Sequence, residues 1–471
     1  MELAEDFSTR IYSDYDNYRE RSIVVRDFKH LDILPLIKSL RKKPGFSLSG
    51  AGTSAEGRDI YLIALGHGKK NILLWSQMHG DESTATMALF DIFNFFSTRD
   101  KLDEIKAGIL EKVTLNFIPM LNPDGAERFQ RHNAYDIDLN RDALRLECPE
   151  SKILKSIHDK LKAKFGFNLH DQNPHYSAGH TFKTASISFL APPFNHEKKV
   201  NPVRERAMKL IVEMTEMLNK FIPGHIGKYP DDFEPRAFGD NIQKWGTSTI
   251  LIESGGWKHD TEKQFLRKIN FITILSAIKF ISEDAYEKQD IQKYYGIPEN
   301  KEIIFDLLLR EVTVYKNGEK RKIDIGINRT EVRSGGKLFF ESIIADIGDL
   351  STFFGNEEYL CNSMQAFPGL DYPSVIESFE ELKNLKSVEL FSRGITVVPV
   401  NKKILPEGKY TKFPFIIKSS DYIGKNDFIA LNSVPNFLLK LNNEIRYIII
   451  NGFVYDLAGS TNNIQNGLIA H

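Results

Sequence analysis

Short apolar runs alternate with longer helical patterns between residue 71 and about residue 282. The runs have the length of buried strands and lie at residues 71–78, 113–121, 165–169 and 247–252. Between and after them, apolar residues recur with the period of a helix at residues 84–96, 203–221 and 262–281. Apolar strands separated by helices predict an α/β fold with a mixed, largely parallel sheet and helices on both faces.

The pattern changes after about residue 286, where β-rich sequence predominates. Two pairs of apolar runs each flank an Asn-Gly dipeptide, which is the strongest short signal of a β-hairpin. These dipeptides are Asn317-Gly318 and Asn451-Gly452. Residues 388–400 add further β-rich sequence. The last third of the chain is therefore predicted to form a small β domain, to which the sequence assigns no role.

Length and composition agree with two domains. The chain has 471 residues, which is too many for one small domain. Its apolar fraction of 41% and charged fraction of 27% are ordinary for a globular chain. We predict an α/β domain over residues 1–290 and a β-rich C-terminal domain over residues 291–471, with the boundary in the charged stretch 283–300.

Charge and cysteine content exclude several classes of function. The chain has 62 Lys and Arg against 63 Asp and Glu, so no whole-protein basic field exists, and no nucleic-acid partner is expected. No apolar run approaches the roughly 18–20 residues of a membrane span. Only Cys148 and Cys361 occur, which excludes a disulfide framework and argues against a thiolate zinc site. With no secretory signal pattern in residues 1–27, we expect a cytoplasmic protein if Met1 is the natural start.

Two histidines and a glutamate follow the ends of predicted strands. His79 and Glu82 lie three residues apart just after the first strand, and His170 ends the third. Two His and one Glu are a usual protein ligand set of a catalytic zinc, which leaves one position for water. Ligand sites in open α/β sheets gather at the carboxyl ends of strands. The alternatives are a solvated, acidic helix start at residues 79–82 and a purely structural His170.

Glu253 ends the fourth predicted strand. A carboxylate at the end of so apolar a run is costly to bury without a partner. It is either a helix cap or a member of a buried ion pair, or it is a general base that takes a proton from water and later passes it to a leaving amine.

A further polar cluster follows the strong turn signal Asn122-Pro-Asp-Gly125. It contains Arg128, Arg131, Asp138, Asn140 and Arg141. A surface loop with ordinary charge pairs would explain it. Alternatively, the planar guanidinium of an Arg can stabilise an oxyanion, and another Arg with an Asn can hold a terminal carboxylate. Asp138 can accept the second N–H of a metal-binding His and fix its tautomer.

Taken together, these motifs resemble the M14 zinc carboxypeptidase family. The matching elements, in the order of the family, are His79-x-x-Glu82, Asn122-Pro-Asp-Gly125, Arg131, Asp138-x-Asn140-Arg141, His170 and Glu253. The resemblance covers about residues 54–257, near half of the chain, and implies the zinc carboxypeptidase fold for this part.

The resemblance also implies a role for each matching residue. It implies that His79, Glu82 and His170 bind one zinc ion and that Glu253 transfers the proton. Arg131 would bind the scissile carbonyl oxygen, and Asn140 and Arg141 would bind the terminal carboxylate of the substrate. Asp138 would orient His79. Arg131 is preferred to Arg128 because an Arg-x-Asn before the Asp-x-Asn-Arg motif matches better. The family's mobile tyrosine has no clear counterpart, since the surroundings of Tyr229 do not match.

The expected function is hydrolysis of C-terminal peptide bonds by zinc-activated water with a Glu general base. An alternative on the same fold is a zinc amidase or deacylase that acts on N-acyl amino acids or cell-wall peptides. A third hypothesis is a non-enzymatic protein whose β domain binds a partner, against which the presence of Glu253 argues. The expected partner is a peptide or amino-acid-amide substrate. Side-chain preference, oligomeric state and the identity of the divalent ion are left open.

Overall fold

The computed structural model describes residues 6–422, 428–459 and 464–471. The chain divides into two compact units, unit 1 (Met1–Glu302) and unit 2 (Ile303–His471). None of the described helices combines the length and the apolar character needed to cross a membrane. Both cysteines are buried free thiols.

Unit 1 is a mixed α/β structure. Its strands are β1 (Phe46–Thr53), β2 (Asp59–Leu65), β3 (Lys70–Ser76), β4 (Val113–Ile118), β5 (Phe165–Asp171), β6 (Tyr176–Ala178), β7 (Ile187–Leu190), β8 (Ile226–Lys228), β9 (Ser248–Ser254) and β10 (Asn300–Glu302). Its helices are α1 (Phe7–Ser13), α2 (His30–Ser39), α3 (Thr84–Ser97), α4 (Asp103–Lys112), α5 (Pro123–Arg128), α6 (Pro149–Leu161), α7 (Pro202–Leu218), α8 (Phe238–Lys244), α9 (Gln264–Ser282) and α10 (Gln292–Tyr295).

Eight strands of unit 1 form one sheet in the order β1-β2-β4-β3-β5-β9-β7-β8. The central strands β4, β3, β5 and β9 run parallel, whereas β1, β2 and β7 pair antiparallel with their neighbours toward the centre. Alternate residues of β3 enter two separate cores: Ile72 and Leu74 pack on the side of α3, α7 and α9, and Leu73 and Trp75 on the side of α6 and α8. The predicted α/β fold with helices on both faces is confirmed.

The predicted strands and helices of unit 1 agree with the structure to within a few residues, because their apolar periods are regular. Helix starts are fixed by local chemistry. Asn201 precedes α7 and accepts hydrogen bonds from the backbone N–H groups of Val203 and Arg204, while Pro202 occupies the first helical position, where its missing N–H costs nothing.

Unit 2 is β-rich, as predicted. Its strands are β11 (Ile304–Lys316), β12 (Glu319–Ser334), β13 (Lys337–Gly348), β14 (Phe354–Leu360), β15 (Met364–Pro368), β16 (Leu370–Asp371), β17 (Ile395–Val400), β18 (Tyr410–Thr411), β19 (Ile416–Ser419), β20 (Asn436–Leu441), β21 (Glu444–Ile450), β22 (Phe453–Asp456) and β23 (Gly467–Ala470), and its helices are α11 (Phe379–Asn384) and α12 (Ser387–Ser392). One sheet has the order β13-β12-β11-β15-β20-β21-β22, with β14 beside β11, and the other has the order β16-β17-β19-β23-β18.

Both predicted hairpins are present in unit 2. The Asn317-Gly318 dipeptide joins β11 to β12, and Asn451-Gly452 joins β21 to β22. All four residues have positive φ, between 48° and 81°, as this kind of two-residue turn requires.

The prediction of β structure throughout 388–400 is wrong for its first half, which lies in α12. One helical turn there buries Leu390 and Phe391 in the core and leaves Val388 exposed. Tertiary packing thus outweighs the β propensity of the segment. Gly394, with φ of 77°, follows α12, and β17 begins at the next residue.

The two compact units divide later than the predicted domain boundary after residue 290. Residues 291–302 pack with unit 1, because the Tyr294 hydroxyl in α10 accepts the backbone N–H of Ala191 and β10 pairs antiparallel with β6. The assignment of these parts as functional domains stays a prediction.

Candidate metal centre and active site

The carboxyl ends of three neighbouring parallel strands carry the site. Strand β5 pairs with β3 on one side and with β9 on the other. The register of β5 and β9 places His170 directly opposite Glu253. His79 follows three residues after the end of β3, on the other side of His170. The sheet topology therefore brings these distant side chains to one edge.

Close backbone packing positions the His79 loop. A Cβ atom on Gly80 would lie only 2.0 Å from the carbonyl carbon of Gly125, so only glycine fits there. The Asn122 side chain accepts the N–H of Gly125 and donates to the carbonyl oxygens of Met78 and Arg131. The Asn122-Pro-Asp-Gly125 turn thereby holds the His79 loop beside the segment that carries Arg131.

His79, Glu82 and His170 are buried and their ligand atoms converge. The two Nδ1 atoms of the histidines are 3.1 Å apart. Glu82 Oε1 lies 2.7 Å from Nδ1 of His79, and Oε2 lies 2.6 Å from Nδ1 of His170. Neighbouring ligand atoms of one tetrahedral zinc are about 3.3 Å apart, given bonds of roughly 2.0–2.1 Å. The three side chains therefore fit one metal ion.

Asp138 sets the tautomer of His79. The Nε2–H of His79 donates to Asp138 Oδ1 at 3.0 Å, so that in the neutral imidazole the lone pair lies on Nδ1, the atom that faces Glu82 and His170. The role of Asp138 in orienting a metal-bound His79 stays a prediction. Nε2 of His170 is buried and has no hydrogen-bond partner among the described residues.

The cluster favours the ionised form of Glu82 and the neutral form of His170, whereas His79 holds a proton that a bound cation would displace. Burial opposes ionisation of Glu82, but the charges of His79 and His170 outweigh it and hold the pKa of this carboxyl well below its usual range. Burial lowers the pKa of His170, which favours a neutral imidazole. Burial also acts to lower the pKa of His79, but the charge of Glu82 and the hydrogen bond with Asp138 outweigh it and raise this pKa to about 9.

Arg131 reaches this cluster, whereas Arg128 does not. The Nε and Nη2 atoms of Arg131 donate to Asp138 Oδ2 at 3.1 and 3.0 Å, and Nη1 lies 3.2 Å from Glu82 Oε1. Its side chain is 42% exposed, so its other face is open to a ligand. Arg128 pairs instead with Glu56, away from the cluster.

Glu253 is 8% exposed and lies in the same electrostatic environment. Burial, followed by the charge of Glu82, raises the pKa of its carboxyl well above the usual value. Among the described residues, none donates a hydrogen bond to this carboxylate, so a helix cap or a direct ion pair does not account for it. A carboxyl with a raised pKa beside a metal-ligand set is suited to proton transfer.

Asn140 and Arg141 lie in a short 3₁₀ helix, Leu139–Arg141, next to α8. Asn140 Oδ1 accepts the backbone N–H of Phe238, which leaves its Nδ2 group without a partner among the described residues. Arg141 is 39% exposed, with its Nε 3.5 Å from Glu234 Oε2. Both side chains therefore keep donors available to an anionic group.

Sequence reasoning missed the charged segment before α8. Arg236 binds Glu234 with two hydrogen bonds of 2.9 and 2.7 Å, so Glu234 lies between Arg236 and Arg141. Burial, together with the charge of Glu234, raises the pKa of Asp240 to about 7. The signal in the sequence is a dense run of charged residues before α8, but no spacing within it indicates the contact with Arg141.

Tyr229, which matches no family position, lies just after β8. Its backbone N–H donates to the Phe189 carbonyl oxygen, and its ring centroid lies 6.5 Å from that of Tyr176. Burial, followed by the charge of Glu253, raises the pKa of the Tyr229 hydroxyl. The structure thus places a tyrosine in the electrostatic environment of Glu253.

Comparison with known proteins agrees with this site. Residues 33–180 match the family model described as zinc carboxypeptidase, Peptidase_M14. The chain is 26% identical over 142 residues to probable carboxypeptidase 2 of Arthroderma benhamiae, which covers 30% of this chain and 24% of the relative. It is 36% identical over 87 residues to carboxypeptidase SOL1 of Arabidopsis thaliana, which covers 16% of this chain and 18% of the relative. The chain thus spans a quarter or less of the length of these relatives.

Among solved structures, a metallo-carboxypeptidase from Burkholderia cenocepacia aligns with a TM-score of 0.45 and 15% identity, over 55% of this chain and 70% of that chain. A carboxypeptidase A from Helicoverpa armigera aligns with a TM-score of 0.44 and 14% identity, over 60% of this chain and 80% of that chain.

The sheet and the His-Glu-His set together define an α/β protein with a candidate metal site at the carboxyl ends of its parallel strands. The family match is more specific: within unit 1, residues 33–180 are similar to the M14 zinc carboxypeptidases. The matched segment contains His79, Glu82 and His170 and ends before β9. The place of Glu253 in the site therefore rests on its register with His170.

Proposed function

We propose that this protein is a zinc-dependent metallocarboxypeptidase that hydrolyses C-terminal peptide bonds. The observation that carries the proposal is the convergence of three buried ligand atoms beside a buried carboxyl of raised pKa. His79, Glu82 and His170 would hold one zinc ion, which would supply Lewis-acid activation of water and of the scissile carbonyl when bound.

The remaining steps fall to side chains of this chain. Glu253 accepts the proton of the attacking water and passes it to the leaving amine. Arg131 donates to the carbonyl oxygen as negative charge develops on it, and Asp138 holds both Arg131 and His79 in place. The Nδ2 group of Asn140 and the guanidinium of Arg141 bind the terminal carboxylate of the substrate.

A substrate panel tests the proposal. The zinc-loaded protein is assayed with N-acylated dipeptides that have a free C-terminus, with their C-terminal amides, with N-acyl amino acids and with cell-wall peptides. We expect hydrolysis of the free-acid dipeptides and at least 10-fold slower hydrolysis of the other compounds. A preference for N-acyl amino acids or cell-wall peptides would assign the amidase or deacylase alternative, and no hydrolysis of any compound would reject an enzyme.

The variant Glu253→Gln tests the proton-transfer step. It keeps the shape of the side chain but cannot accept a proton, so we expect activity to fall by at least about 100-fold, the lower bound of general-base catalysis. Zinc content, measured by metal analysis, is expected to stay at the wild-type value. Glu104→Gln, an exposed glutamate on α4, is the matched control and should retain full activity. Near-normal activity of Glu253→Gln would remove Glu253 from the mechanism.

A further inference from the structure

The side chain of Lys263 connects two strand ends in the site. Lys263 directly precedes α9, and its side chain is only 10% exposed. Its Nζ donates to Asp171 Oδ2 at 3.2 Å and to the carbonyl oxygen of Ser254 at 3.1 Å. Asp171 follows the ligand His170, and Ser254 follows Glu253. One ammonium group therefore joins the residue after a metal ligand to the residue after the proposed base.

Asp171 also contacts Glu82, another of the candidate metal ligands. Its backbone N–H lies 3.2 Å from Glu82 Oε2 and donates to it, and its Oδ2 accepts the hydroxyl of Thr84 at 2.6 Å. The Asp171 side chain is 7% exposed, and its Oδ1 has no hydrogen-bond partner among the described residues. Lys263 is the cation that pairs with this buried carboxylate, and removal of one partner of a buried pair leaves an uncompensated charge.

The position of Glu253 depends on the backbone at the end of β9. None of the described residues donates a hydrogen bond to its carboxylate, so its side chain is aimed by the strand. The carbonyl oxygen of Ser254 accepts hydrogen bonds from Lys263 and from the backbone N–H of Gln172, which is 2.9 Å away. These two bonds fix the end of β9 against the chain that leaves β5.

The backbone of Lys263 adopts a conformation that does not favour lysine. Its φ and ψ angles are 48° and 33°, in the left-handed region that glycine occupies without strain. A residue with a long side chain persists in such a conformation only where its surroundings hold it there. A glycine at position 263 would adopt this backbone conformation with less strain. The backbone conformation therefore does not explain why a lysine precedes α9.

We propose that Lys263 is a positioning residue, which holds Glu253 and the ligands Glu82 and His170 in register with one another. It touches neither substrate nor metal and acts through Asp171 and the Ser254 carbonyl. The part that concerns Glu253 rests on the proposed function, whereas the part that concerns the ligands does not.

Three variants of the full chain test this role. Lys263→Met keeps an unbranched apolar stem and removes the ammonium group. Lys263→Gly also removes it but suits the left-handed backbone, so the fold should be retained, with a melting temperature no lower than that of Lys263→Met. Lys258→Met, an exposed position in the same loop, is the matched control. The dissociation constant of zinc is measured by competition with a chromophoric chelator, and kcat and KM with a free-acid dipeptide.

We expect both Lys263 variants to bind zinc about 10-fold more weakly and to have a kcat at least about 10-fold lower, with a smaller change in KM. The reason is that loss of supporting contacts around metal ligands typically lowers metal affinity or activity by about 10–100-fold. The control should match the wild type. A folded Lys263→Gly or Lys263→Met variant with wild-type zinc affinity would overturn the proposal. If the wild type hydrolyses no peptide, the proposed function fails, and the zinc measurement still decides the role of Lys263.

Discussion

The two units of this protein differ in where their strand ends lie. In unit 1 the central strands β4, β3, β5 and β9 are parallel, so their carboxyl ends share one edge. In the larger sheet of unit 2 most neighbours are antiparallel, so successive strand ends alternate between two edges. In the part of the chain that the structure describes, the one cluster of three or more metal-ligating side chains lies in unit 1. Strand direction, rather than composition, decides where polar side chains gather.

The largest expected effect is that of metal removal on the stability of unit 1, the unit that contains the candidate metal site. All three tryptophans, Trp75, Trp245 and Trp257, lie in unit 1 and report its unfolding by fluorescence. At a zinc concentration about 1,000-fold above Kd, we expect the free energy of unfolding from this signal to rise by about 4 kcal/mol over that of the metal-free protein. The variant His170→Ala should lose this gain. An equal gain in that variant would place the stabilising ion elsewhere.

The next largest effect concerns the proposed carboxylate clamp. We expect Arg141→Ala to lower kcat/KM for free-acid dipeptides by about 100-fold, since hydrogen bonds to charged groups contribute about 1.5–3 kcal/mol. For C-terminally amidated peptides the loss should stay below about 3-fold. Arg128→Ala, which removes a guanidinium paired with Glu56 outside the cluster, is the control and should act on neither substrate. Equal losses on both substrates would argue against exopeptidase action.

The hairpins of unit 2 offer a matched pair of glycines for its stability. Both have positive φ, but a Cβ on Gly452 would lie 2.7 Å from the Ser342 Cβ, whereas Gly318 has open space around it. We expect Gly318→Ala to cost about 1 kcal/mol from backbone strain alone. Gly452→Ala should cost about 2–4 kcal/mol because overpacking adds to the strain. Denaturant unfolding followed by far-UV circular dichroism measures the loss of stability in both variants. Equal losses would show that Ser342 moves away from the added Cβ at no cost in free energy.

The smallest effect concerns the pH dependence of unit 1. Asp240 is 7% exposed, and burial raises its pKa to about 7, above the value of about 3.9 in an unfolded chain. The unfolded state therefore releases this proton at lower pH than the folded state, and stability falls as pH rises from about 4 to about 7. We expect Asp240→Asn to be more stable than the wild type by at least about 1 kcal/mol at pH 8 and equal to it at pH 4, because one unit of pKa shift corresponds to about 1.4 kcal/mol.

Tryptophan-monitored unfolding at the two pH values measures this effect. Asp232→Asn, at a position whose side chain is 90% exposed, is the control and should leave the pH dependence of the free energy of unfolding unchanged. A stability gain of Asp240→Asn that is the same at pH 4 and pH 8 would show that ionisation of Asp240 is not its cause.

The sequence predicted those parts of the fold that depend on neighbours along the chain. The apolar periods gave the strands β3, β4, β5 and β9, and the Asn-Gly dipeptides gave both hairpins, since two-residue turns need residues that accept positive φ. The helix at Ser387–Ser392 was missed because burial of Leu390 and Phe391 in a tertiary core overrides local propensity. The compact units divide later than the predicted boundary because the pairing of β10 with β6 joins segments far apart in sequence, and the domain assignment itself stays a prediction.

For the site, the sequence determined the types and the order of the side chains: two histidines, a glutamate between them and a second glutamate at the end of the fourth predicted strand. Their positions after strands of one parallel sheet were enough to expect convergence. Only the tertiary structure decided the contacts, such as His79 with Asp138, Glu234 with Arg141 and Lys263 with Asp171. Local pattern reflects interactions within a few residues, whereas these pairs form between segments whose distance is set by strand register and loop packing.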